Sequence, residues 1–183
     1  MKWPYEFGTS LPTLQRDFEL VVATFERPLV QFLFRFVFDQ GTALDLAQET
    51  FVKAFQNLSR HDNRRAFSTW LFAIAANLAK DHARKTTRRT ALFAGAAAES
   101  PHEVCFNQPD RNLDNRELGN AIEAAIASLP LLYREPLLFR HTAGLSINET
   151  AEALGTSVAV VKTRLFRARQ LLQQTLGKEW LAR

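Results

Sequence analysis

Four cations and no acid lie between residues 157 and 170, and their spacing would suit contact with DNA. Cationic side chains can neutralise phosphates and donate hydrogen bonds to base edges in the major groove. These cations are Lys162, Arg164, Arg167 and Arg169. Apolar residues recur at helical spacing on another stripe of the same segment, at Val158, Val161, Leu165, Ala168 and Leu172. The pattern predicts an amphipathic helix with an apolar back and a basic front.

A shorter helix is predicted just before this basic helix. Ser146, with Glu149 three residues later, forms a capping box, so a helix should begin at Ser146. Gly155 can supply a turn, and Ser157 can cap the helix that follows. Two short helices around a tight turn are typical of a helix-turn-helix, whose second helix enters the major groove. The alternative is a solvated amphipathic helix in an ordinary bundle, since cation-rich exposed faces are common.

An aromatic side chain heads a second basic stripe, in the first half of the chain. At helical spacing, Trp70 shares one line with Asn77, Asp81, Arg84 and Arg88, with Lys80 beside it. Such a surface suits single-stranded nucleic acid, because bases stack on aromatic rings while cations neutralise phosphates. Among these residues only Asp81 is negatively charged. This excess of cations indicates that the face does more than contact solvent. The alternative is that Trp70 lies at the edge of the core and packs against the first helix.

Apolar periodicity predicts the helices that carry these residues. One or two helices are expected over residues 18–38, ended by residues 39–41, with Thr42 capping the next helix. From about residue 44 to residue 58 one face is apolar: Leu44, Ala47, Phe51, Ala54, Phe55 and Leu58. A third helix is expected from about residue 67 to residue 88, with Phe67, Leu71, Ile74 and Leu78 on its core face. Residues 59–66 between them are predicted to form a loop.

The other face of the helix over residues 44–58 is polar, with Asp45, Gln48, Glu49, Lys53 and Gln56. No residue of the sequence is an evident partner within the chain for Asp45, Gln48, Glu49 or Gln56. Asp45 and Glu49 are the only paired carboxylates on one helix face. A surface pair of this kind favours contact with a partner protein over acid–base catalysis.

The net charge of +4 is spread unevenly along the 183 residues. Residues 1–90 and 116–183 are basic, whereas residues 91–115 hold four acids against one cation. The acidic stretch is rich in Ala, Ser, Pro, Asn and Gln, and it is predicted to be a flexible linker. The expected fold class is therefore all-α, with two small helical domains over 1–90 and 116–183, the second a helix-turn-helix.

Several classes of site and protein are excluded by composition. Cys105 is the only cysteine, which excludes an intramolecular disulfide and a multi-cysteine zinc site and fits a reduced, cytoplasmic setting. The four histidines lack metal-ligand spacing, and no glycine-rich phosphate-binding loop is present. Neither a metal ion nor a cofactor is therefore expected. The start of the chain is too polar for a signal peptide, and no apolar run approaches the roughly 20 residues of a membrane span.

With these motifs in place, the chain resembles a bacterial RNA polymerase sigma factor of the extracytoplasmic-function (ECF) group over about residues 18–176. The core-polymerase-binding helix of that family is similar to residues 44–58, with Asp45-Leu46 and Gln48-Glu49-Thr50-Phe51. Its promoter-melting helix, which reads the −10 element, is similar to residues 67–84, with Trp70-Leu71, Asn77, Asp81 and Arg84. Its −35-reading domain is similar to Leu129-Pro130, Arg134, Leu145-Ser146, Glu149, Ala151, Leu154-Gly155 and residues 161–169.

The resemblance implies a protein that catalyses nothing itself, binds core RNA polymerase, and reads promoter DNA as duplex at −35 and as melted strand at −10. Core polymerase would contact Asp45, Gln48, Glu49 and Gln56. The −10 DNA would contact Arg64, Arg65, Trp70, Asn77, Lys80, Arg84 and Arg88, with the 59–66 loop completing a pocket for an extruded base. The −35 DNA would contact Ser157, Ala159, Lys162, Thr163, Arg164 and Arg167. Arg164 is nearer the apolar stripe, so a phosphate or structural role is expected for it. An anti-sigma factor is expected as a further partner.

The chain departs from the family where the basic helix begins. The run over residues 157–161 replaces the Gly-Thr-Val common in the family, so the −35 base preference does not follow from the resemblance. A third, C-terminal domain is not expected, and neither is regulation by an attached sensor domain.

Two other interpretations explain less of the sequence. A conventional helix-turn-helix regulator, with residues 1–90 as a ligand or dimerisation domain, explains the C-terminal half equally well but not the Trp70 stripe. An α-helical enzyme would need a cluster of His, Cys or carboxylate side chains, and the sequence shows none.

Overall fold

Seven α-helices form the part of the chain that the structure, a computed structural model, describes. The backbone is described for residues 11–58, 61, 66–92 and 113–177, and side chains for residues 18–58, 61, 66–88 and 119–177. The helices are α1 (Leu11–Val37), α2 (Gln40–Gln56), α3 (Phe67–Leu92), α4 (Leu113–Ser128), α5 (Leu131–His141), α6 (Ile147–Ala153) and α7 (Val158–Leu176). No strand occurs within these ranges, and the predicted all-α class is confirmed.

The turn between α1 and α2 has a different cap from the one expected. α1 is a single helix with Pro28 inside it, and Phe38 beyond its end has a positive φ of 54°. Asp39 then caps α2, because its Oδ1 accepts a hydrogen bond from the Thr42 N–H at 2.7 Å. Thr42 was therefore wrongly predicted as the cap, and α2 begins at Gln40 because the aspartate side chain is available three residues earlier.

The first core lies between α1, α2 and α3. Phe32, Phe67 and Phe72 are fully buried there, and the rings of Phe32 and Phe72 meet edge to face with centroids 5.0 Å apart. Two residues assigned to the apolar face of α2 are instead exposed, Leu44 at 42% and Phe55 at 41%. Both lie at one edge of the apolar face, beyond the part of α2 that packs against α1 and α3.

A second core joins α4, α5, α6 and α7. Its buried residues are Leu129, Leu137, Ala151, Val161, Leu165 and Ala168. Three of the five residues predicted for the back of α7 are thus buried, and the other two, Val158 and Leu172, pack against this core. Pro136 is buried inside α5, which follows Pro130. Ile122 on α4 is 38% exposed.

α5 lies between the two cores and contributes to both. Leu137 belongs to the second core, whereas the adjacent Leu138 and Phe139 are buried in the first, together with Leu145. The Phe139 ring lies 5.2 Å from that of Phe32 on α1. The two helical groups are therefore packed against one another.

Candidate functional site

The helix-turn-helix forms through the local signals predicted for it. The Ser146 N–H donates to Glu149 Oε2 at 2.8 Å, and the Glu149 N–H donates to Ser146 Oγ at 3.2 Å, completing the capping box of α6. Hydrogen bonding from Ser146 lowers the pKa of the Glu149 carboxyl. Gly155 makes the turn with a φ of 60°, which favours glycine. Ser157 Oγ then accepts the Val160 N–H at 3.3 Å and caps α7.

The outward face of α7 carries most of the residues predicted to contact −35 DNA. Ser157, Ala159, Lys162, Thr163 and Arg167 are exposed, while Arg164 is partly buried, in keeping with its place beside the apolar stripe. The Arg167 guanidinium donates to Gln170 Oε1 at 3.0 Å, which holds it on this face.

Phe166 stands among these polar residues and is 57% exposed. It was left out of the predicted contacts, although its place on the outward line of the helix was visible in the sequence. An aromatic side chain this exposed on a recognition helix can contact a thymine methyl group.

The basic face of α3 is exposed at most positions, but one of its cations is in an ion pair with another helix. Asn77, Asp81, Arg84 and Arg88 are exposed, as predicted. Arg84 lies 3.5 Å from Asp81, a weak surface pair, whereas the Lys80 ammonium lies 2.9 Å from Glu135 Oε1 on α5. Asp81 is therefore not the only acid near these cations, and the charge argument from sequence was incomplete because Glu135 is distant in the chain. Arg64 and Arg65, with most of the 59–66 loop, lie outside the described residues.

Trp70 is partly buried and packs against the first core. Its ring lies 4.9 Å from that of His61 and 5.5 Å from that of Phe67. The interpretation of Trp70 as an edge-of-core residue therefore has structural support. Trp70 is not fully covered, and along α3 it lies about two helical turns before Asn77, at the head of the basic face.

The four residues predicted to bind polymerase are exposed together on α2: Asp45, Gln48, Glu49 and Gln56. One expectation was wrong, because Glu49 has a partner in the chain, Lys53, at 3.1 Å. This is an i,i+4 helix pair that the sequence spacing could have indicated. Val52, in the middle of the face, is 55% exposed, and the exposed Leu44 and Phe55 lie together at one edge of it. Exposed apolar side chains ringed by polar ones are typical of a protein-binding surface.

Comparison with known proteins agrees with the order of these faces. The family model for Sigma-70 region 2 matches residues 21–89, and that for Sigma-70 region 4 matches residues 119–172. The RNA polymerase sigma-H factor of Pseudomonas aeruginosa is 33% identical over 88% of this chain and 87% of its own length. The ECF RNA polymerase sigma factor SigW of Bacillus subtilis is 32% identical over 88% of this chain and 90% of its own. The chain belongs to the ECF group of the sigma-70 family.

Two solved structures are similar to this sigma factor. The sigma factor RpoE of Bartonella quintana, in complex with the anti-sigma factor NepR, has a TM-score of 0.77 and 24% identity, covering 89% of this chain and 98% of its own. CnrH, in complex with the cytosolic domain of CnrY, has a TM-score of 0.66 and 28% identity, covering 88% of each chain. The helical architecture is thus shared over nearly the whole length.

This protein is an alternative sigma factor, which binds core RNA polymerase and promoter DNA and directs promoter-specific transcription initiation. A conventional helix-turn-helix regulator is excluded, because the region 2 match covers the segment that this alternative treated as a ligand or dimerisation domain. Sigma factors are DNA-binding initiation factors rather than classical enzymes. Among the described residues, no helix is long and apolar enough to cross a membrane, and no group of three His, Cys, Asp or Glu could hold a metal ion.

Proposed function

We propose that three exposed faces divide the work of initiation in this sigma factor. The α2 face docks on core polymerase, the α3 face holds the melted −10 strand, and the α7 face reads the −35 duplex. The observation that carries this assignment is that α7 exposes cationic, hydroxyl and aromatic side chains together while its apolar back is buried. Transcription of a promoter library by core polymerase reconstituted with the protein tests it, since promoters sharing both elements should be enriched.

The division of labour follows the chain. Residues 1–90 would form the domain for core binding and −10 recognition, and residues 116–183 the domain for −35 recognition. The acidic residues between 91 and 115 would connect them, where their charge suits a polymerase channel built for nucleic acid. The protein itself would carry out no catalysis and would act in the cytoplasm with polymerase.

Binding at −35 combines general and specific contacts. Arg164 can neutralise a phosphate, while Lys162, Thr163 and Arg167 lie where base edges would be, beside the exposed Phe166. The phosphate contacts fix the position of the helix, and the outward residues provide the base preference.

Replacing Arg167 with alanine is expected to relax base preference at one position of the −35 element. An arginine that donates to a guanine edge contributes about 1–3 kcal/mol of discrimination, so preference there should fall by about 5- to 150-fold. Binding of a −35 duplex library by the variant, followed by sequencing of the bound fraction, measures this. Equal weakening on every sequence would make Arg167 a phosphate contact instead.

Replacing Phe166 with alanine is expected to lower the preference for a thymine by about threefold to tenfold, because an apolar side chain contacts the thymine methyl group. Duplexes with uracil in place of thymine provide the matched control, since they lack only that methyl group. The variant should bind thymine and uracil duplexes alike, whereas the unaltered protein should prefer thymine. If the unaltered protein does not distinguish them, this role for Phe166 is wrong.

An anti-sigma factor is proposed as a third kind of partner. Support comes from the similar sigma factor of Bartonella quintana, which was solved in complex with one. Purification of the protein from its native host under non-inducing conditions tests this. The proposal requires a stoichiometric partner distinct from polymerase, and a protein found always free or only with polymerase would contradict it.

A further inference from the structure

Three aromatic side chains meet where α2 leads into α3. The imidazole of His61 lies 4.9 Å from the Trp70 ring, and the two ring planes are only 32° apart. The Phe67 ring meets His61 edge to face at 5.5 Å and lies 5.5 Å from Trp70. Offset stacks and edge-to-face pairs with centroids about 4.5–7 Å apart are the favoured arrangements of aromatic rings. His61 and Trp70 therefore form a stack, and Phe67 closes the cluster from the side.

His61 is held in this cluster from two directions. Its backbone N–H donates to Leu58 O at 3.0 Å, and the Leu58 side chain is buried in the first core just beyond α2. Its ring contacts Phe67, which is buried at the start of α3 and lies 6.0 Å from the Phe25 ring on α1. Trp70, one turn farther along α3, is only partly buried. The better anchored imidazole thus holds the less buried indole.

The stack restricts how the Trp70 side chain can move. A surface indole that rotates about its side-chain torsions loses that freedom when a base stacks on it, and this loss weakens the contact. A ring that is already stacked on a fixed neighbour has lost most of the same freedom during folding. The imidazole also enlarges the aromatic surface to which a base can be added. Both effects reach DNA through the ring that His61 holds.

We propose that His61 is a positioning residue for strand separation: it holds the Trp70 indole in the orientation in which this ring meets the melted −10 strand. The proposal rests on the −10 function proposed above for the α3 face. His61 acts through Trp70 and makes no base contact of its own. Since the contact is between ring faces, position 61 requires a flat ring rather than a charge.

Proton NMR of the full chain tests the stack without DNA. Protons above the face of an indole are shifted upfield, so the His61 ring signals should lie upfield of those of the other three histidines. Their loss in His61→Phe assigns them. Trp70→Ala should move them downfield, whereas Phe72→Leu, which changes a ring in contact with Phe25 and Phe32, should leave them in place. His61 signals that coincide with those of the other histidines overturn the proposal.

The effect on initiation is measured as the ratio of open-complex rates on duplex and pre-melted bubble promoters, with reconstituted holoenzyme. His61→Ala should slow the duplex rate about threefold to tenfold relative to the bubble rate, because the indole is then no longer held. His61→Phe keeps a flat ring and should restore the ratio. His82→Ala is the matched control, since it removes an imidazole from α3 about 18 Å beyond Trp70 and should leave the ratio unchanged. A loss of stability alone would slow both templates alike.

A double variant separates positioning from direct contact with DNA. If His61 acts through Trp70, His61→Ala should change the ratio by less than about twofold in a Trp70→Ala background. Effects that multiply would mean that His61 meets DNA itself, and they overturn the positioning role, as does an unchanged ratio in His61→Ala. Trp70→Ala then distinguishes the cause. If it changes the ratio and His61→Ala does not, only the positioning role is wrong, whereas if neither does, the −10 function of this end of α3 is wrong as well.

Discussion

Changing Asp45 and Glu49 together to lysine is expected to abolish binding to core polymerase. Both carboxylates are exposed on the α2 face, beside the exposed Val52. The polymerase surface that contacts these acids should be complementary to negative charge. Two reversed charges would therefore weaken the binding free energy by several kcal/mol, which lowers the affinity more than about hundredfold. Fluorescence polarisation with labelled sigma factor and purified core polymerase measures the effect, and unaltered affinity would remove α2 from the interface.

The control for this variant must separate charge reversal from helix stability. Glu49→Lys also breaks the Glu49–Lys53 pair and places two cations at i,i+4. Lys53→Gln breaks the same pair without reversing an acid, and an exposed pair of this kind contributes only about 0.3–0.5 kcal/mol. It should therefore bind polymerase within about twofold of the unaltered protein. A Lys53→Gln defect as large as that of the double reversal would mean that the pair, and not the acidic face, is what polymerase requires.

The helix-turn-helix could be predicted closely because each of its signals is local. The capping box, the glycine turn and the second cap depend on residues at most four positions apart. The apolar back of α7 likewise follows from periodicity within one helix. Caps, turns and helix faces depend on residues that are close together in the sequence, so they can be predicted before any tertiary contact is known.

The contacts between the two regions left no comparable signal. Arg35 on α1 and Glu123 on α4, which form an ion pair, are 88 residues apart, and neither stands in a motif. The same limit explains the errors on α2, since periodicity indicates which face is apolar but not how much of it the neighbouring helices cover. Leu44 and Phe55 lie beyond that cover. On the basic face of α3, spacing placed Lys80 correctly but could not show that Glu135 forms an ion pair with it.

Replacing Trp70 with alanine is expected to slow open-complex formation, in addition to lowering thermal stability. Trp70 is only partly buried and stands at the head of the α3 face. An unpaired base that stacked there would contribute about 1–3 kcal/mol, so its loss would slow the step by about 5- to 150-fold. A promoter with a pre-melted −10 bubble should restore much of the rate, because strand separation is then already complete. Stopped-flow fluorescence from a labelled promoter, on duplex and bubble templates, gives both rates.

Stability is the competing explanation, because the Trp70 ring also packs on His61 and Phe67. Phe72→Leu is the matched control: Phe72 lies on the same helix, is buried in the same core and makes its ring contacts with Phe25 and Phe32 instead. This variant should lose about 1–2 kcal/mol of stability while its ratio of duplex to bubble rates stays unchanged. If Trp70 assists strand separation, Trp70→Ala must change the ratio of duplex to bubble rates more than Phe72→Leu does. If both variants slow initiation in proportion to their loss of stability, and the bubble rescues neither, Trp70 acts only through the core that holds α3 in place.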